Sequence, residues 1–250
     1  ADVDVYTVDV GMDTPRYPQR ELVLGEVIDR KIARGTGNLA REAAMSMEQC
    51  VQAVETGKEL VRELSEKGYQ IIATGEMGIG NTTPTSVLAA VFLQQEVKAV
   101  TGKGAGLSRD GLLRKCQAVQ AAVDRIRELG LTVPMEILAQ AGGYEIAGMV
   151  GIFLGGVQYR IPIIIDGAIS AVAALTALQM DARVRDYVLA SHEPKEEAGR
   201  LALRELGVEA LIHGRLCLGE GSGAMAVLPL LDMALKVYGS MGSFTEYEIT

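Results

Sequence analysis

Hydrophobic and polar positions along this chain follow two patterns, one typical of strands and one typical of helices. Short apolar runs bounded by glycine or polar residues predict strands at 3–10, 69–73, 161–165 and 208–212. Apolar positions close to a 3.6-residue period predict helices at 44–66, 84–95, 108–129, from 134, from about 146, and at 168–178, 195–206 and 222–238. Strands and helices therefore alternate over most of the sequence, an order typical of α/β folds.

The strands predicted near 71 and 163 are apolar on both faces. Strands of this kind belong to parallel sheets that are covered by helices. No linker rich in proline or serine interrupts the chain, and no internal repeat is visible. We therefore predict a single α/β domain over residues 1–250, with a parallel sheet and helices on both faces.

Composition narrows the classes of function. The 250 residues carry a net charge of −8 and contain no run of Lys and Arg, so we expect no nucleic-acid partner. The three cysteines are far apart and only two histidines are present, which predicts neither a disulfide framework nor a metal site, and we expect no cofactor. The apolar runs are too short to cross a bilayer, which favours a protein of the reducing cytoplasm with no membrane partner.

Three glycine-rich segments stand before predicted helices, with the sequences GEMGIGNTT at 75–83, GKGAG at 102–106 and LGEGSG at 218–223. In parallel α/β folds, ligands bind beyond the carboxyl ends of the strands, and backbone amides in glycine loops can bind phosphate. The first segment is not a dinucleotide fingerprint, because Thr83 takes the place of its third glycine, and the chain contains no P-loop. A nicotinamide-dependent dehydrogenase therefore fits the sequence poorly.

Two of these segments carry one glutamate each, Glu76 and Glu220. Two carboxylates that face one cleft suit a reaction that moves a proton or stabilises a developing cation. Each glutamate could equally cap a turn or face solvent, and the residues alone leave both interpretations open. Next to Glu76, the backbone amides of Gly78 and Gly80 are candidates for contacting a phosphate.

Further candidates for binding a phosphorylated ligand lie outside the glutamate-bearing segments. Gly104 belongs to the second glycine segment. Lys115 lies on the helix that follows, outside its apolar stripe, either as a solvated lysine or as a counter-charge for phosphate. Asp166 ends a buried strand, where an aspartate binds ribose or caps the next helix. His192 has no nearby Cys or second His, and we interpret it either as a structural residue or as one that supports a residue of the site.

Several segments together resemble one family, the nicotinate-nucleotide–dimethylbenzimidazole phosphoribosyltransferases. The order and spacing of the segments match the family over essentially all 250 residues, and the combination is far more specific than any one loop. The matching segments are 34–38 with 44–45, 75–83, 102–106, 142–149, 162–168 and 218–223.

The resemblance implies a Rossmann-like α/β subunit, usually a homodimer. It also implies an enzyme that transfers phosphoribose from nicotinate mononucleotide to 5,6-dimethylbenzimidazole. The products would be nicotinate and α-ribazole 5′-phosphate, in the assembly of the lower ligand of cobalamin. In this family pattern, Glu220 matches the general base and Glu76 matches the second carboxylate, beside the ribose.

The resemblance also implies which residues bind the substrates. Met77 and Leu218 would line the acceptor pocket. The phosphate and nucleotide site would comprise Gly78, Ile79, Gly80, Asn81, Gly104, Lys115 and Asp166.

Two departures from the family pattern leave alternatives open. Against the family pattern, we expect this sequence to lack the family's N-terminal segment, which contributes polar residues to the acceptor pocket. Pro194 also stands where the family often has a serine. The acceptor could therefore be adenine, another substituted benzimidazole or a phenol. A second alternative is a non-catalytic fragment or subunit that only binds a nucleotide.

Overall fold

The computed structural model describes residues 3–14 and 27–242. The strands in these ranges are β1 (Thr7–Asp9), β2 (Val27–Asp29), β3 (Ile72–Ala73), β4 (Ile163–Ile165), β5 (Val188–His192) and β6 (Ala210–Ile212). The helices are α1 (Met47–Glu66), α2 (Thr82–Phe92), α3 (Val97–Val100), α4 (Arg109–Glu128), α5 (Pro134–Ala141), α6 (Tyr144–Tyr159), α7 (Ala168–Met180), α8 (Glu197–Leu206) and α9 (Ser222–Ser240). A 3₁₀ turn, Ala182–Tyr187, precedes β5.

The central sheet has the strand order β3–β4–β5–β6, and every neighbouring pair is parallel. Ile163 of β4 stands beside Ile72 of β3 and Val188 of β5. All three residues of β4 are buried, and successive side chains of a strand point to opposite faces, so both faces of the sheet are covered. This arrangement confirms the predicted α/β fold. Strands β1 and β2 form a separate parallel pair.

Helices α1 and α6 pack at very short range because glycines lie at their contact. A Cβ at Gly57 of α1 would lie 2.0 Å from the carbonyl oxygen of Gly148 in α6. Further along α6, Gly156 faces the sheet, where a Cβ would lie 2.7 Å from the side chain of Ile163. Since α6 leads directly into β4, these contacts fix the position of β4.

The predicted helices are present with shifted ends, and the predicted strands are shortened. Helix α1 begins at Met47, and not at 44, because Ser46 forms a capping box with Gln49. The predicted strand 3–10 contracts to β1, and the strand 69–73 contracts to β3. Three elements, β2, α3 and β5, were not predicted from the apolar pattern. In β5, the polar pair Ser191-His192 interrupts that pattern, although both side chains are buried.

The strands of the central sheet all run in the same direction, so their carboxyl ends share one edge. The first glycine segment follows β3, and the third follows β6 before α9 begins. This edge is therefore the candidate site. Within the described ranges, no helix has the length and apolar character needed to cross a membrane. The same ranges contain no group of three or more His, Cys, Asp or Glu side chains that could hold a metal ion.

Candidate functional site

The first and third glycine segments touch each other backbone to backbone. A Cβ at Gly75 would lie 2.9 Å from the backbone nitrogen of Gly221 and 3.0 Å from the carbonyl carbon of Glu220. Only glycine leaves room for this approach. The contact brings Glu76 and Glu220, predicted as a pair of carboxylates, onto adjacent loops at the same edge of the sheet, and the charge of Glu220 raises the pKa of Glu76.

Asp166, at the end of β4, holds the third glycine segment in place. Its Oδ2 accepts a hydrogen bond from the backbone N–H of Gly221 (3.1 Å), and its Oδ1 accepts bonds from Gly223 (2.9 Å) and Ala224 (3.1 Å). The expectation that Asp166 caps the next helix is wrong, because it caps α9, and α7 has no side-chain cap. Its predicted contact with a nucleotide stays a prediction.

The backbone around Glu220 is left-handed at three successive residues. The φ angles are 83° at Gly219, 57° at Glu220 and 79° at Gly221. A left-handed conformation costs a residue with a Cβ roughly 1 kcal/mol. Strain of this kind concentrates at functional positions. Glu220 is exposed and lies on this strained turn. Asp166 holds the turn through its hydrogen bond with the backbone N–H of Gly221.

Glu76 is half-buried and has a defined orientation. The side-chain amide of Asn81 donates a hydrogen bond from Nδ2 to Oε2 of Glu76, at 2.5 Å. Burial raises the pKa of Glu76, while the hydrogen bonds from Asn81 and the Gly78 backbone oppose that rise. The negative charges of Asp166 and Glu220 raise the pKa further. This edge of the sheet therefore concentrates carboxylates, which favours a ligand with positive charge near Glu76.

Lys115 is a buried residue, and its interpretation as a solvated lysine is wrong. It lies on the inner face of α4 with 7% of its surface exposed. Its Nζ donates to Oγ1 of Thr82 and to the carbonyl oxygen of Gly102, both at 2.9 Å. Burial lowers the pKa of Lys115, and the charges of Cys116 and Glu196 act against that lowering. An ammonium has three N–H donors, so a ligand can take the third.

The second glycine segment lies over this lysine. A Cβ at Gly104 would lie 3.0 Å from Oγ1 of Thr82 and 3.7 Å from Nζ of Lys115, and the φ angle of Gly104 is 55°. Any side chain here would be strained and would press against the hydroxyl of Thr82. The structure therefore brings together Gly104 and Lys115, two predicted phosphate-binding residues that are distant in sequence from the first glycine segment.

The start of α2 completes this cluster. Gly78 and Gly80 have φ angles of 80° and 79°, and both residues are exposed, as is Ile79 between them. Asn81 occupies the N-cap position of α2, but its side chain makes no capping hydrogen bond. The first backbone N–H groups of a helix lack partners within the helix, and together with the helix dipole they attract anions. These amides and Lys115, joined through Thr82, are suited to a phosphate.

Apolar side chains border the two carboxylates. Met77 and Leu218, both predicted for the acceptor pocket, are 61% and 81% exposed. Met77 directly follows Glu76 in the sequence, and Leu218 lies two residues before Glu220. Exposed apolar side chains at this place provide surface for an apolar ring.

Two residues of the site, Thr82 and Ser191, were missed by the reasoning from sequence, which had singled out only their neighbour His192 as a structural or supporting residue. Thr82 contacts Lys115, a contact that no local pattern reveals because 33 residues separate the two. Ser191 donates to the carbonyl oxygen of Asp166, and the ring of His192 contacts Ser191 through Nδ1 at 2.9 Å. A Cβ at Gly223 would lie 2.1 Å from Nδ1 of His192, so the imidazole packs against the first turn of α9.

Comparisons with known proteins show which family the chain resembles over its whole length. The family model described as "Phosphoribosyltransferase" matches residues 1–249. The nicotinate-nucleotide–dimethylbenzimidazole phosphoribosyltransferase of Ruminiclostridium cellulolyticum is 39% identical over 246 residues, which cover 98% of this chain and 68% of that protein. The enzyme with the same name from Clostridium acetobutylicum is 37% identical over 249 residues, covering 100% of this chain and 69% of that protein.

Solved structures give the same result for the fold. A crystal structure of nicotinate-nucleotide–dimethylbenzimidazole phosphoribosyltransferase from Thermus thermophilus superposes with a TM-score of 0.87 at 35% identity, covering 98% of this chain and 70% of that one. A crystal structure of CobT from the same organism gives a TM-score of 0.89 at 36% identity, covering 98% and 71%. The chain belongs to the family of nicotinate-nucleotide–dimethylbenzimidazole phosphoribosyltransferases.

Proposed function

We propose that this enzyme transfers phosphoribose from nicotinate mononucleotide to 5,6-dimethylbenzimidazole, giving nicotinate and α-ribazole 5′-phosphate for the lower ligand of cobalamin. The observation that carries the proposal is the contact of Gly75 with the Glu220–Gly221 backbone, because it makes the two loops that bear Glu76 and Glu220 neighbours. The hydrogen bond of Lys115 with Thr82, in the segment that also bears Glu76, supports it. The names of the relatives support the same reaction. A site that only bound a nucleotide would need neither carboxylate.

The reaction requires no acid for the leaving group. The donor carries a pyridinium, and when its bond to C1′ breaks, the electron pair returns to the ring nitrogen and leaves neutral pyridine in nicotinate. A benzimidazole nitrogen attacks C1′ from the opposite face, so the β-linkage of the donor becomes an α-linkage in the product. The enzyme therefore has to orient two rings, stabilise the ribose cation and remove one proton.

We assign different tasks to the two glutamates. Glu76 stabilises the positive charge that develops on the ribose, because its carboxylate is half-buried and held by Asn81. Glu220 accepts the proton that the second benzimidazole nitrogen loses after attack, because it is the exposed carboxylate next to Leu218. In each role the carboxylate has to be ionised at the start of the step.

The phosphate of the donor binds at the start of α2. Lys115 supplies the buried positive charge, and the backbone amides from Gly78 to Gly80 supply neutral donors. Gly104 leaves the space above Thr82 and Lys115 open for the phosphate oxygens. These contacts explain how a protein with a net charge of −8 binds an anionic group.

A second candidate is transfer to a different acceptor. The exposure of Met77 and Leu218 favours it, because an acceptor surface this open within the described residues does not restrict the shape of the ring. We test the two candidates by supplying the donor with equimolar dimethylbenzimidazole, adenine and phenol, and analysing the products by mass spectrometry. α-Ribazole 5′-phosphate as the main product supports the first proposal, and a riboside of another acceptor alone would contradict it. Cytoplasmic location and a homodimeric assembly stay predictions.

A further inference from the structure

Asn81 begins α2 without capping it. At α1 and α4 the N-cap residues, Ser46 and Ser108, have extended backbones and accept hydrogen bonds from the first turn of the helix. Asn81 has helical dihedral angles, φ −93° and ψ −10°, and makes no such bond. Asparagine is among the preferred capping residues, but here its side chain bonds to Glu76 and not to the backbone of α2.

The side-chain amide of Asn81 is only half satisfied. The residue is 3% exposed, and its Nδ2 donates to Oε2 of Glu76. Its Oδ1 is buried and has no hydrogen-bond partner within the part of the chain that the structure describes. The reverse orientation of the amide would set Oδ1 against a carboxylate oxygen, which are two acceptors, so the ionised form of Glu76 fixes the orientation. A buried acceptor without a donor is costly, which points to a donor supplied by a ligand.

The neighbours of Asn81 indicate which ligand group this is. On one side it bonds to Glu76, the carboxylate assigned to the ribose cation. On the other side the next residue, Thr82, contacts Lys115 at the phosphate cluster. A group that lies between a phosphate and C1′ and carries O–H donors is the sugar itself, whereas the phosphate offers no donor when ionised.

We propose that Asn81 is a positioning residue for Glu76 and that its Oδ1 accepts a hydrogen bond from a ribose hydroxyl of the donor nucleotide. The proposal rests on the proposed function, because it takes nicotinate mononucleotide as the donor. The amide of Asn81 would then bond to the ribose through Oδ1 and to Glu76 through Nδ2. Binding of the donor and the orientation of the Glu76 carboxylate would therefore depend on the same side chain.

Two substitutions separate the two halves of this role. Asn81→Ala removes both the donor to Glu76 and the acceptor for the hydroxyl. Asn81→Asp keeps an acceptor oxygen but replaces the donor with a group that cannot donate when ionised. Thr85→Val is the matched control, since Thr85 is buried on the same first turn and its Oγ1 donates only to the backbone oxygen of Asn81.

The affinity for the donor nucleotide tests whether Oδ1 of Asn81 accepts a hydrogen bond from the ribose. By calorimetry, nicotinate mononucleotide is compared with its 2′-deoxy and 3′-deoxy analogues. In the wild-type protein and in Thr85→Val, we expect at least one analogue to bind about 10-fold more weakly than the native donor. In Asn81→Ala, the ratio of the Kd of that analogue to the Kd of the native donor falls to about 2 or less. In Asn81→Asp, the ratio stays at about 10. An unchanged ratio in Asn81→Ala, or no discrimination in the wild-type protein, would overturn the ribose contact.

The pH dependence of kcat/KM tests the positioning half. Glu76 has to be ionised, and the Asn81 hydrogen bond favours the ionised form, so loss of that bond moves the acid limb of the profile to higher pH. We expect this shift in Asn81→Ala, a larger one in Asn81→Asp, and none in Thr85→Val. An acid limb that does not move in either Asn81 variant would overturn the positioning role. If the wild-type protein shows no turnover, the proposed function fails, while calorimetry and a carboxyl titration of Glu76 by NMR still decide this inference.

Discussion

At the scale of single residues, the two glutamates of the site differ in their surroundings although their loops are in contact. Glu76 is half-buried and bonded to Asn81, and Glu220 is exposed on a left-handed turn. A buried, oriented carboxylate suits electrostatic stabilisation of a fixed cation. An exposed carboxylate beside an apolar ring suits proton removal, because it can move and can pass the proton to water.

Glu220 is held in a conformation that glycine would adopt more easily. We predict that Glu220→Gly lowers kcat by about 10²-fold or more because the base is lost, while the free energy of unfolding rises by up to about 1 kcal/mol. Glu220→Gln keeps the strained backbone, so it should lose activity with an unchanged unfolding midpoint. Urea unfolding and initial rates measure the two effects. A Glu220→Gly protein clearly less stable than Glu220→Gln would show that the left-handed turn stores no strain.

The buried ammonium of Lys115 makes donor binding sensitive to alkaline pH. Burial lowers its pKa, so the positive charge is lost, as pH rises, earlier than for an exposed lysine. We predict that the Kd for nicotinate mononucleotide, measured by calorimetry, increases as pH rises through this lowered pKa. Lys115→Arg keeps its charge over the whole range, so its Kd, although higher throughout, should not depend on alkaline pH. An identical alkaline rise in both proteins would exclude Lys115 as its cause.

At the scale of elements, the site depends on loops that approach one another through glycine. Gly75 allows the first segment to touch Glu220 and Gly221, and Asp166 fixes the start of α9. The two carboxylates therefore keep their relative position only while both contacts are intact.

The contact at Gly75 can be disrupted without touching either glutamate. A Cβ in Gly75→Ala would lie 2.9 Å from a backbone atom that cannot move aside easily, so the loops separate. We predict a loss of about 1–3 kcal/mol in unfolding free energy and a fall in kcat of at least about 10-fold. Gly167→Ala is the control, because Gly167 also follows a strand at this edge and has open space around its Cβ position. Equal effects of the two substitutions on kcat would mean that the spacing of the loops is unimportant.

The sequence predicted much of these elements, but not the contacts between them. Helices with long apolar stripes, such as α4, and glycine segments between strand and helix were predicted from local patterns. Strand β5 was not, because the buried hydroxyl of Ser191 at its end donates to the backbone oxygen of Asp166, which follows another strand, β4. The burial of Lys115 was missed for the same reason, since its partners, Thr82 and the Gly102 carbonyl, lie elsewhere in the chain.

At the scale of the whole molecule, α9 differs from the other long helices. Its first turn packs on the site, but its second half exposes large apolar side chains, including Leu235 and Tyr238, at 68% and 85% exposure. Apolar faces of this kind are typical of contacts with another chain or segment. The family resemblance predicts a homodimer, and this face is where we look for its contact.

Light scattering tests this assembly directly. We predict a mass of twice 26.6 kDa for the wild-type chain, and a shift toward the monomer in Leu235→Glu, which places a charge on the apolar face. Leu113→Glu is the control, because Leu113 is an exposed leucine of a different helix, α4. A monomeric mass for the wild-type chain would refute the homodimer.

The most direct test of the account is nicotinate release from nicotinate mononucleotide by this chain, with and without dimethylbenzimidazole, in the wild-type protein and in Glu220→Gln. We predict release that depends on the base, accompanied by equimolar α-ribazole 5′-phosphate, and a rate that is lower by about 10²-fold or more in Glu220→Gln. Release at the same rate without the base, or full activity in Glu220→Gln, would contradict the assignment of this site as a phosphoribosyl transferase centre with Glu220 as its base.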